Sequence, residues 1–122
     1  MTGNYYVFQA WQGETFSRLL TWRLPDGAPV DISAMTARLQ LRIAPSDTIS
    51  PALDMTEDNG MILNGGAEGT LRLSIPAAAL SALEPIVYVY DLELTSAVGN
   101  VERLLWGKFW VRPEVTRDDV PQ

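Results

Sequence analysis

The sequence contains no cysteine, no histidine and a single lysine, Lys108. Without cysteine there is no disulfide, no thiolate metal site and no cysteine nucleophile. Without histidine the usual general base near neutral pH is missing, and so is the commonest transition-metal ligand. Serine and threonine are plentiful, but none has a histidine or an evident lysine partner to activate it. No apolar run approaches the ~20 residues of a membrane span. No N-terminal stretch joins positive charge to a long apolar segment, as a signal peptide does. The expectation is a soluble chain made in the cytoplasm. Positive charge is scarce as well, with nine basic residues against fifteen acidic ones and a net charge of −6. That balance argues against nucleic acid, whose affinity comes from Lys and Arg meeting phosphates. It argues equally against an anionic membrane surface.

What is present fits one domain spanning residues 1–122. A hydrophobic fraction of 47% in 122 residues is enough for a single core. Eight Pro and nine Gly are scattered along the chain, so they punctuate it and form no low-complexity tract. There is no internal repeat and no linker.

The clearest pattern runs from Tyr88 to Val115. Tyr88, Tyr90, Leu92 and Leu94 alternate with Val89, Asp91 and Glu93, the period of a half-buried strand. Gly99 and Asn100 tolerate positive φ, so the chain can reverse there. On the return run Leu105, Gly107, Phe109 and Val111 share one face, and Leu104, Trp106, Lys108, Trp110 and Arg112 share the other. The return strand is therefore apolar on both faces. Such a strand is buried twice, or it offers one face to a partner.

The rest of the chain reads the same way. Residues 5–10 are β-rich by aromatic and β-branched content. From Thr15 to Leu24, Phe16, Leu20, Trp22 and Leu24 face one way, with Arg18 interrupting. Pro25-Asp26-Gly27 closes that strand with turn chemistry. From Thr36 to Ile43, Ala37, Leu39, Leu41 and Ile43 point inward. Pro51 marks an edge position within residues 49–55. Asp58-Asn59-Gly60 offers a hairpin-type turn. Leu71, Leu73 and Ile75 alternate along residues 70–75. One short helix is expected over residues 76–83, started by Pro76 and stopped by Pro85. The tail, residues 113–122, is polar and expected to be loose unless a partner orders it. About eight short strands with regular turn signals predict an all-β fold, an antiparallel sandwich of immunoglobulin-like or jelly-roll-like type.

A search for chemistry returns little. Asp91 and Glu93 share a face of one strand, at a separation compatible with a glycosidase pair, but a solvated sheet face explains them. Asp54, Glu57, Asp58 and Asn59 cluster as calcium ligands can, yet their register is not that of an EF-hand loop, and a hairpin tip accounts for them. Gly65-Gly66-Ala67-Glu68-Gly69 lacks the Lys-Ser/Thr of a phosphate-binding loop and reads as a flexible turn. Lys108 is expected between Trp106 and Trp110, stacked on them by cation–π contact. No catalytic residue, cofactor site or metal site is assigned. The candidate protein interface is Trp106, Lys108, Trp110 and Arg112, with Trp11 ambiguous in the same way, because Trp and Arg are enriched at interface hot spots.

Several segments carry a family resemblance: Gly13 to Phe16, Leu20 to Ser33, Ala37 to Ile43, Gly69 to Pro76, Val89 to Thr95 and Arg103 to Val111. With these the chain resembles the small β-sandwich virion proteins of tailed bacteriophages and prophages. Its layout is similar to the N-terminal module of baseplate and tail-fibre adaptor proteins. One position departs from that pattern, since Trp106 stands where an acidic or polar residue is expected. The resemblance implies a non-enzymatic structural protein in the virion, oligomeric in the assembled particle and docked on other virion subunits of tail or head. Capsid decoration is the alternative on the phage head. A carbohydrate-binding sandwich, with exposed Trp as sugar platforms, is the alternative from another class.

Overall fold

The computed structural model of the chain describes residues 3–45 and 50–116. Nine strands and one α-helix follow in order: β1 Asn4–Tyr5, β2 Phe8–Trp11, β3 Phe16–Thr21, β4 Met35–Arg42, β5 Leu53–Thr56, β6 Ile62–Asn64, β7 Thr70–Ile75, α1 Ala77–Ser81, β8 Val87–Ser96 and β9 Val101–Arg112. The larger sheet has the order β1-β9-β8-β4-β5, with β2 also on β9, and the smaller has the order β3-β7-β6. Two sheets packed on one core make the expected all-β sandwich.

Alternation decides which side chains fill that core. Leu39 and Leu41 of β4, Leu71 and Leu73 of β7, and Tyr90 and Leu92 of β8 are each no more than 5% exposed. Burying a side chain of this size contributes about 1.5–3 kcal/mol relative to leaving it in water. At one end Phe8, Phe16, Tyr90 and Phe109 form an aromatic cluster, with neighbouring ring centroids 5.2–6.4 Å apart. The β8–β9 hairpin turns at Gly99, which adopts φ +92°, while Asn100 stays at negative φ.

The first two strands depart from an all-antiparallel sandwich. Both β1 and β2 pair parallel to β9, with Tyr5 beside Trp106 and Phe8 beside Phe109. The ladder breaks between them at Tyr6 and Val7. Opposite the break lies Gly107, at φ +148°, where an added Cβ would come within 2.4 Å of the Tyr6 carbonyl oxygen. Only glycine admits the N-terminal strand that close. The Tyr90 hydroxyl donates to the same Tyr6 oxygen at 2.9 Å and pins the break from inside.

Other local expectations are corrected. Asn59-Gly60 closes no hairpin, since β5 belongs to the larger sheet and β6 to the smaller. The turn carries the chain from one sheet to the other. The Asn59 side chain holds that corner by accepting from the Thr56 and Met61 amides and donating to the Asp54 carbonyl. Ile43 and Leu24 are 61% and 49% exposed, because each lies just beyond its strand, where the alternation no longer has a sheet to face. Between Leu92 and Glu93 the β8–β9 register slips, so that Leu104 is the extra residue. Leu104 and Leu105 both reach the core from there. The helix is shorter than expected, with Pro76 extended as its N-cap. Of the tail, Glu114 is tied down by its amide, which donates to the Gln12 side chain at 3.3 Å. The residues after Thr116 lie outside the described ones.

Arg18 interrupts the inward face of β3 for a physical reason. Its guanidinium lies 4.6 Å from the Phe16 ring centroid and donates to the Gln9 carbonyl of β2 at 3.5 Å. A charge there closes the gap between two sheet edges that would otherwise invite another strand.

Candidate interaction face

Strand β9 projects Trp106, Lys108, Trp110 and Arg112 away from the smaller sheet. Register then sets their neighbours. On β8, Asp91, Val89 and Val87 stand opposite Trp106, Lys108 and Trp110. On the N-terminal side, Tyr5, Gln9 and Trp11 stand opposite Trp106, Trp110 and Arg112. All five residues expected from the sequence are thus brought onto one face. The N-terminal strands line the edge of β9 and do not cover that face. Trp11, Trp106 and Trp110 remain 39%, 44% and 37% exposed.

Two sub-clusters make up the face. At one end Tyr5 meets Trp106 edge-on, with centroids 4.8 Å apart, and the Trp106 indole donates to the Gly3 carbonyl at 3.2 Å. At the other end the Arg112 guanidinium lies between two indoles, 4.8 Å from the Trp11 centroid and 4.4 Å from that of Trp110. Each such contact is worth about 0.5–1 kcal/mol when exposed. This corrects the expectation for Lys108. The cation stacked on tryptophan is Arg112, because β2 delivers Trp11 directly beside it, while the Lys108 side chain stays exposed.

The carboxylates singled out in the sequence have structural partners. Arg103 reaches Asp91 at 3.2 Å and Glu93 at 3.9 Å. Arg38 grips Asp54 with two bonds of 3.0 and 2.6 Å, and these hold the Asp54 carboxyl below the usual carboxylate range. Glu57 accepts from the Ala37 amide at 2.7 Å. The acidic loop therefore stitches β5 to β4. The glycine-rich stretch folds as a single 3-10 turn, Gly66–Glu68, whose Gly66 carbonyl accepts from the Ile32 amide.

Beside Trp106 the face dips into an open depression of about 720 Å³, lined by Tyr5, Trp106, Asp91, Glu93, Arg103 and Arg42 among others. Sequence reasoning missed Tyr5 and Val87 as members of the face. Only the parallel register of β1 and the length of β8 place them there. No protein-family model matches this chain, and no curated protein matches it either.

Proposed function

We propose that the chain is a non-enzymatic structural protein of a bacteriophage particle, an adaptor that docks on neighbouring subunits of the tail, baseplate or fibre through the outer face of its larger sheet. One observation carries the docking: three tryptophans lie uncovered on a single face, joined by Tyr5 and Val87. Free monomers rarely leave such a patch in water, and Trp and Arg dominate interface energetics. The placement in a phage particle is supported by the resemblance of the strand and turn segments described above. The test is incorporation into purified particles, with the location read by labelling. Trp110→Ala is expected to weaken incorporation by about 2 kcal/mol or more while the domain stays folded. Wild-type incorporation of that variant would contradict docking through this face. Label on the head would move the proposal to capsid decoration.

The depression beside Trp106 favours a second reading, a carbohydrate-binding surface. Aromatic rings next to paired carboxylates and guanidinium groups suit a sugar that stacks and hydrogen-bonds together. Glycan binding that is lost in Trp106→Ala, with particle incorporation intact, would select it.

A further inference from the structure

Arg117 is the one of the nine basic residues that lies outside the described region. Six of the other eight are engaged within the domain: Arg18 and Arg23 by backbone carbonyls, Arg38 and Arg103 by carboxylates, Arg42 by Gln40 and Arg72 by Ser17. Lys108 and Arg112 have no hydrogen-bonded or ionic side-chain partner among the described residues. They lie four positions apart on one face of β9, with Trp110 between them, a span of about 13 Å on a strand. The Arg112 guanidinium lies against both indoles, and its Nε is buried among them. Two unneutralised cations bracketing an exposed indole also run against the net charge of −6. An occupant that suits this row is anionic at both ends and apolar in the middle.

We propose that the Lys108–Trp110–Arg112 row binds an extended acidic segment of a partner protein, with carboxylates four residues apart bracketing an apolar side chain. The proposal rests on the docking reading and names the chemistry of what docks. The planar guanidinium takes one carboxylate through its two terminal nitrogens, in the two-pronged geometry that lysine cannot offer. Lys108 supplies a point charge for the other carboxylate. The indoles of Trp11 and Trp110 screen the Arg112 contact from water, which strengthens it.

The test compares two acetylated, amidated pentapeptides, Glu-Thr-Val-Thr-Glu and Gln-Thr-Val-Thr-Gln, titrated into isotope-labelled protein and followed by NMR. The Glu peptide should shift the indole N–H signals of Trp11 and Trp110 and the Arg112 Nε–H signal. It should bind about tenfold tighter than the Gln peptide. Arg112→Gln and Lys108→Gln should each erase part of that preference, Lys108→Gln at unchanged melting temperature and Arg112→Gln with a small drop from its lost stacking on the two indoles. Equal binding of the two peptides, or no shift at those three groups, overturns the proposal. If the Arg112 Nε–H signal of the free protein moves when Asp118→Asn and Asp119→Asn are introduced, the chain's own tail is the occupant and the partner assignment falls. Particle incorporation separates this inference from docking itself. Loss with Trp110→Ala but not with Arg112→Gln removes the acidic partner and leaves docking standing. Unchanged incorporation of both variants removes docking.

Discussion

The two faces of β9 carry the same class of residue in different surroundings. Phe109 and Val111 point inward and are fully buried, while Trp110 between them and Trp106 on the same outer face are 37% and 44% exposed. Both faces are apolar in the sequence. The difference is that β3 lies over the inner face, where Phe16 packs on Phe109, whereas among the described residues the outer face is flanked only by side chains of the neighbouring strands. Apolar character marks a surface that favours leaving water; it does not say whether the same chain or another supplies the cover.

That contrast breaks most visibly at Phe109. Phe109→Ala removes a ring from the centre of the aromatic cluster and should cost about 3–5 kcal/mol of stability, read from denaturant unfolding. Trp110→Ala on the other face should cost less than about 1 kcal/mol in the same assay. Equal losses would make Trp110 part of the core.

Next in size is the break in the N-terminal strand. Gly107→Ala places a Cβ against the Tyr6 carbonyl, at a φ that side chains rarely adopt. A cost of about 1–3 kcal/mol is expected, with faster hydrogen exchange at the Tyr6 amide, which donates to the Trp106 carbonyl. Unchanged exchange there would show that the strand pairs without the close approach.

Tyr90 gives a smaller effect with a defined pH dependence. Burial first, then the neighbouring Tyr6 and Tyr5, raises its phenol pKa. Burial does the same for Tyr88, with Glu84 adding to it. An unfolded tyrosine titrates at about 10, so the unfolded chain gives up these protons first. The stabilisation is fully present below about pH 10 and is lost as pH rises above it. Tyr90→Phe should flatten part of that alkaline fall. At neutral pH it should cost about 1 kcal/mol, because the Tyr6 carbonyl loses its donor.

The smallest change is expected from Asp91→Asn with Glu93→Gln. Their partner Arg103 is exposed, and such pairs contribute no more than about 1 kcal/mol. Particle incorporation should be unaltered. Loss of a hydrolytic activity in that double variant would overturn the non-enzymatic reading.

Much of this molecule was legible in the sequence where period two held against a buried neighbour. Leu39, Leu41, Leu71, Leu73, Tyr90 and Leu92 fell on the correct faces, and Trp106 to Arg112 on theirs. Alternation does not carry pairing partners, so the parallel docking of β1 and β2 on β9 was hidden. The same holds for the sheet change at Asn59-Gly60, because one dipeptide serves a hairpin and a corner alike. The bulge at Leu104 shifted the phase of β9 without a glycine or proline to announce it. The stacking of Arg112 on Trp11, residues far apart in the chain, needed the parallel register before it could be read. Ile43 and Leu24 show the converse, since a pattern continued past the end of its strand says nothing about burial.

The docking claim is tested most directly by hydroxyl-radical footprinting of the tryptophans in the free protein and in purified particles. Docking through the outer face predicts strong protection of Trp11, Trp106 and Trp110 in the particle. Trp22, which packs against the core from outside that face, should react equally in both. Equal oxidation of all four tryptophans in the free and assembled protein would contradict it.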